Sequence, residues 1–142
     1  MSLPHVPPAR PITVLVVDDE DMLRHVVCRG LGYEGFRTLE AHSGEDALHL
    51  VDVAPADLID LVITDVVMSS MDGWELGRRL AQKRPGVPVL YISAYPPGDI
   101  FHRGPPSGGL PFLQKPFNAP ELLAKIGDLL GDRIGGRPAS PS

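Results

Sequence analysis

The sequence predicts an α/β protein in which a five-stranded, doubly wound parallel sheet is covered by helices on both faces. Short apolar runs rich in β-branched residues alternate with stretches whose apolar residues recur every three or four positions. Capping residues stand in front of several of the helical stretches. Acidic, hydroxyl and basic residues follow the apolar runs, at the strand ends where a sheet of this kind collects ligands. Strands separated by helices imply βαβ units with right-handed crossovers. The 142 residues suit one domain. Residues 12–130 are expected to form it, with 1–11 a flexible proline-rich lead and 131–142 a flexible tail.

Ile12-Thr13-Val14-Leu15-Val16-Val17 is a nearly continuous apolar run, the pattern of a strand covered on both faces. From Asp21 the spacing becomes helical, with Met22, Leu23, Val26, Val27, Gly30 and Leu31 on one face and Gly32 as a stop. A weaker strand runs from Phe36 to Ala41. Ser43 caps the second helix, with Asp46 placed to reach back to it. Leu58 to Thr64 is the third strand, and Asp72 with Glu75 forms a capping box for a helix through Arg84. Val87 to Ile92 is the fourth strand and Leu110 to Leu113 a short fifth. Asn118 and Glu121 cap a last helix carrying Leu122, Leu123, Ile126, Leu129 and Leu130. Four prolines between Tyr95 and Gly109 leave the expected fourth helix short or irregular.

The formal net charge of −5 would repel a phosphate-rich partner, which argues against direct nucleic-acid binding. A single cysteine, Cys28, permits no intramolecular disulfide, and its apolar helical setting reads as a buried small hydrophobe. No signal peptide is read at the N-terminus, and no stretch approaches the ~20 apolar residues of a membrane helix. A cytoplasmic protein is therefore expected.

The strand ends hold a coherent set. The first strand ends in Asp18-Asp19, the third in Asp65 and the fourth in Ser93, while the fifth leads into Lys115. Any one of these is commonplace, since acidic residues after a strand often solvate a loop or cap a helix. Together, they would form one shallow crevice. Magnesium is a hard ion that takes carboxylate oxygens, and it relieves the repulsion between crowded carboxylates. An ionised aspartate is a competent nucleophile towards phosphorus. Phosphoryl transfer then needs mainly alignment and charge neutralisation, which a cation and a lysine ammonium supply.

Val14-Leu15-Val16-Val17-Asp18-Asp19-Glu20, Leu61-Val62-Ile63-Thr64-Asp65-Val66-Val67-Met68, Met71-Asp72-Gly73, Tyr91-Ile92-Ser93-Ala94 and Lys115-Pro116-Phe117 resemble, in that order, the receiver domain of two-component response regulators. The resemblance runs from about Ile12 to Leu130. It implies a flavodoxin-like sheet of strand order 2-1-3-4-5. It implies Asp65 as phosphoacceptor, and Mg2+ held by Asp19, Asp65 and the Val67 backbone carbonyl, with Asp18 acting partly through water. It further implies Ser93 as the switch hydroxyl, Lys115 as partner of Asp65 and then of a phosphoryl oxygen, Ala94 as the small residue that admits the donor, and Phe112 as the aromatic switch. Implied partners are a histidine kinase or a histidine phosphotransfer protein, with the chain a monomer or weak dimer. The fourth and fifth strand motifs are similar to receivers attached to hybrid sensor kinases.

Ser69 stands where the family often has proline. Val67 and Tyr95, two residues after Asp65 and Ser93, are expected to hinder a water attacking the phosphoaspartate. His5, His25, His42, His49 and His102 have no metal-ligand spacing with Cys28 or one another. Trp74 reads as a packing residue. Two other functions fit these residues less well. A phosphorylation-independent interaction module has no need of all five polar groups. An aspartate-based phosphatase would place a second carboxylate where Val67 stands.

Overall fold

The computed structural model describes residues 11–95 and 110–131. Strands β1 (Thr13–Val17), β2 (Arg37–Ala41), β3 (Leu61–Asp65), β4 (Val89–Ser93) and β5 (Phe112–Gln114) share the chain with helices α1 (Asp21–Tyr33), α2 (Gly44–Val53), α3 (Gly73–Lys83) and α4 (Ala119–Leu130). All the strands are parallel, in the order β2-β1-β3-β4-β5, as expected. The expected irregular helix between β4 and β5 lies outside the described residues.

The alternation of side chains along a strand divides the core in two. In β1, Val14 and Val16 face α1 and α4, where they meet Val27, Leu31, Leu122 and Ile126. Leu15 and Val17 face the other way, into the layer of Ala47 and Val51 from α2 and Leu76 and Leu80 from α3. β1, completely buried on both faces, has no polar side chain beyond Thr13. At the start of β1 and β3, the Thr13 N–H donates to Asp60 Oδ2 at 2.8 Å and the Asp60 N–H to the Thr13 carbonyl at 2.9 Å. This reciprocal pair locks β1 and β3 in register, and β3 begins only after it, at Leu61 rather than Leu58.

Helix α1 presents a different face from the one its apolar residues suggest. Met22 and Val26 lie outside, 75% and 61% exposed, while Arg24, Val27, Cys28 and Leu31 are buried. The helix passes Gly32 and ends at Tyr33, and Gly35, at φ +94°, makes the turn. Ser43 caps α2 by accepting from the Asp46 N–H, yet the Asp46 carboxylate turns to His42 instead of closing a box. Asp72 likewise caps α3, while Glu75 is drawn off by Arg78 and Arg79. The full reciprocal box forms at Asn118 and Glu121.

Gly73 shows why the start of α3 takes a glycine. Its N–H donates to the Val66 carbonyl at 2.8 Å, and a Cβ there would collide with the Asp65 carbonyl and approach Val66 Cα at 2.9 Å. Both neighbours are backbone and cannot swing aside. Gly73→Ala is therefore expected to lower stability by about 1–3 kcal/mol despite alanine's better helix propensity, as measured by urea unfolding. An unchanged midpoint would contradict the close approach.

Candidate functional site

The strand order reverses between β1 and β3, because the chain moves from β1 outward to β2 and then returns to β3 on the other side. Such a switch point opens a crevice at the C-terminal strand ends. Register does the rest. Val17 pairs with Thr64, and Asp65 pairs with Ile92, so Asp18, Asp65 and Ser93 stand at three adjacent strand ends.

Asp18 is 1% exposed and Asp65 8%, while Asp19 is open to solvent. Carboxylate oxygens of the three lie within 4.8 Å of one another. Lys115, carried in by β5, places Nζ 3.3 Å from Asp18 Oδ2 and 3.3 Å from Asp65 Oδ2. Its N–H donates to the Ser93 carbonyl at 2.8 Å, which ties the lysine loop to the end of β4. The Lys115–Pro116 peptide is cis. The Glu20 N–H holds Asp18 Oδ1 at 2.9 Å, and the Ser69 N–H holds Asp19 Oδ2 at 3.1 Å. A proline at position 69 would have no such donor.

Two carboxylates thus share one ammonium, and a third stands beside them. Burial pushes the Asp65 carboxyl up, and although Lys115 pulls it down, the Asp18 charge adds to the rise and leaves it at about 6. A hard, oxygen-only donor set with surplus negative charge fits Mg2+.

Ser93 is fully buried, and its hydroxyl accepts from the Tyr95 N–H at 3.1 Å, a role that leaves the hydroxyl proton to donate elsewhere. Ala94 and Tyr95 are exposed beside it, and Val67 is exposed on the β3 side. Phe112 is half-buried against Val66, Trp74 and Tyr91. Trp74 is buried as a packing residue, its ring 4.6 Å from that of Tyr91. Cys28 is buried, and burial pushes its thiol up to about 11, the setting of an unreactive thiol.

Arg24 and Glu40 escaped the sequence reading. The Arg24 guanidinium, buried under α1, donates from Nη1 to the Asp18 carbonyl at 2.8 Å and from Nε to Glu40 Oε1 at 2.9 Å, and Nη2 pairs with Asp21 Oδ1 at 2.9 Å. Burial works against its charge, but Glu40 and Asp21 more than offset that and raise its pKa. The signal was available: Arg24 falls three, four and seven residues before Val27, Cys28 and Leu31, and so on the inner face of α1.

The response regulator receiver domain family matches residues 14–127, and the chain belongs to that family. Members of it are phosphoacceptor switches of two-component signalling and not enzymes in the usual sense. Sensor kinase CckA of Brucella abortus is 34% identical over 118 residues, 83% of this chain and 12% of that protein. The probable transcriptional regulatory protein TcrX of Mycobacterium tuberculosis is 34% identical over 121 residues, 85% of this chain and 50% of that protein. The chain therefore spans half or less of these curated relatives, and it resembles a sensor kinase and a transcriptional regulator to the same degree. The crystal structure of a response regulator receiver protein from Sinorhizobium medicae matches with a TM-score of 0.74 at 30% identity, covering 87% of this chain and 97% of that one.

The Asp65 carboxyl gives the fold a pH signature. Below pH 3.8, its ordinary value, the carboxyl is protonated in folded and unfolded chains alike; above about 6, the folded chain carries a buried charge. Its contribution to stability falls as pH rises through that window. Asp65→Asn is expected to raise the Tm of the metal-free protein by roughly 3–6 °C above pH 7, the equivalent of about 1 kcal/mol, with the gain vanishing near pH 4. Thermal unfolding in the presence of a chelator measures this, and an equal gain at both ends would contradict it.

Proposed function

We propose that Asp65 accepts a phosphoryl group from a phosphohistidine of a histidine kinase or histidine phosphotransfer protein. The carrying observation is the Lys115 ammonium shared between Asp18 and Asp65, with Asp19 completing the carboxylate cluster. A carboxylate oxygen of Asp65 forms the new O–P bond as the N–P bond breaks, and the imidazole nitrogen leaves with the electron pair. Asp18, Asp19, Asp65 and the Val67 backbone carbonyl are the proposed holders of Mg2+. When bound, the ion supplies charge neutralisation for the phosphoryl oxygens. Lys115 then passes from Asp65 to a phosphoryl oxygen, and Ser93 donates its hydroxyl proton to another. Ala94 leaves room for the donor.

The switch follows from the same contacts. Once phosphorylated, Asp65 draws Ser93 and Lys115 inward, and Phe112, on the strand that leads into Lys115, moves further into the space beside Trp74 and Tyr91. This would alter the surface offered to a partner. We place the receiver unit at residues 12–130 and read it as a cytoplasmic module, monomeric or weakly dimeric, that exchanges phosphoryl groups without contacting nucleic acid. Among the described residues no helix is long and apolar enough to cross a membrane.

Incubation with magnesium and a small-molecule phosphodonor should add one phosphoryl group to the intact mass, and neither Asp65→Asn nor a magnesium-free sample should show it. A folded protein with excess magnesium and no adduct would instead favour a phosphorylation-independent interaction module. Loss of the phosphoryl group is a separate measurement. Val67 and Tyr95, two residues after Asp65 and Ser93, are 42% and 52% exposed; in the receiver family these positions border the line of attack on the phosphoaspartate, and an apolar side chain and a bulky ring are poor at orienting a water there. The Val67→Asn, Tyr95→Glu double variant is expected to lose phosphate about tenfold faster, the equivalent of ~1.4 kcal/mol in the barrier. Decay no faster than in the parent would remove that explanation of a long-lived phosphoaspartate.

A further inference from the structure

Among the described residues, Arg24 is the buried cation that the proposed chemistry leaves unused. A buried arginine is often no more than a tie between two elements, and Arg24 does tie α1 to β2 through Glu40. One of its three oxygen partners, however, is the main-chain carbonyl of Asp18, on the peptide that joins the two acidic residues. That peptide is planar, so fixing its carbonyl fixes the plane from which both side chains leave. The end of β2 grips the same loop a second time, because the Asp18 N–H donates to the Ala41 carbonyl at 3.1 Å. Glu40 and Ala41 are consecutive, and between them they hold Asp18 at its carbonyl, through Arg24, and at its N–H.

We infer that Arg24 is a positioning residue for the acidic pair: clamped by Glu40, it sets the direction in which Asp18 and Asp19 present their carboxylates to a divalent cation. The inference rests on the reading of the site as a magnesium-dependent phosphoacceptor. It can be separated from a purely electrostatic role by sign. A guanidinium beside the site repels a second cation, so if charge were its whole contribution, removing it would tighten magnesium binding. A positioning role predicts weaker binding. His25 Nε2 lies 3.2 Å from the same Glu40 oxygen that Arg24 uses, so parent and variants are compared at a single pH.

The experiment is a calorimetric titration of the whole chain with Mg2+ for the parent, Arg24→Met and Arg24→Lys, alongside the magnesium dependence of phosphorylation by a small-molecule donor. Arg24→Met is expected to bind Mg2+ roughly tenfold more weakly, the usual scale for losing a residue that orients a ligand. Arg24→Lys should fall between the two, because one ammonium lacks the fork that spans Glu40 and the Asp18 carbonyl. At saturating magnesium the phosphorylation rate of both variants should return to within about twofold of the parent, since Asp65, Ser93 and Lys115 are untouched. A role in stability alone would leave the magnesium affinity of the folded protein unmoved. Parent-like or tighter binding by Arg24→Met overturns the inference. Where that variant does not fold, Arg24→Lys decides: weaker binding supports it, parent-like binding overturns it. A parent that itself binds no Mg2+ overturns the reading of the site and this inference with it, whereas a binding parent with equally binding variants overturns the inference alone.

Discussion

Two buried carboxylates, Asp18 and Asp65, meet at the ends of neighbouring strands, and the Lys115 ammonium stands 3.3 Å from each. One positive charge cannot balance them and Asp19 as well, and burial makes the imbalance more costly than it would be in water. Burial first, and then the Asp18 charge, push the Asp65 carboxyl up to about 6 against the pull of Lys115. Much of the surrounding structure restrains this repulsion. Main-chain N–H groups of Glu20, Val67 and Ser69 point at Asp18, Asp65 and Asp19 in turn. The site is thus held together by the contacts around it, while its own charges favour a bound cation.

The sheet supplies the rigidity that such a site needs. β1 and β3 are completely buried, packed on one side against α1 and α4 and on the other against α2 and α3. At the far end of the same two strands, the Thr13 backbone, held by the Asp60 carboxylate and the Asp60 N–H, sets the register. A one-residue slip there would turn Asp18 or Asp65 to the other face of the sheet. Gly73 allows α3 to begin hard against the Asp65 carbonyl, so the third helix starts at the wall of the site.

Most of the architecture was legible because its causes are local. Continuous β-branched runs specified covered strands, and Asn118 with Glu121 specified the start of α4. The polar groups at the strand ends were equally legible, since each follows its apolar run directly. The errors have a common physical source. Asp46 and Glu75 had the spacing for capping boxes, but His42 and the pair Arg78 and Arg79 offered their carboxylates other partners. On α1, hydrophobicity suggested a face containing Met22 and Val26, whereas the helix buries Arg24 because three oxygens satisfy its guanidinium.

The sequence by itself determined the α/β class, the order of elements and which residues stand at the strand ends, because periodicity, capping and turn chemistry act over a few residues. The family resemblance implied which ends are neighbours and that Lys115 meets Asp65, but only the tertiary structure decided the register, the distances and what else reaches the site. Lys115 is 97 residues from Asp18 and 50 from Asp65 along the chain. Arg24 and Glu40 are 16 apart. Contacts at such separations depend on how each strand enters the sheet and how each helix rolls on its face, and both are fixed by packing across the whole core.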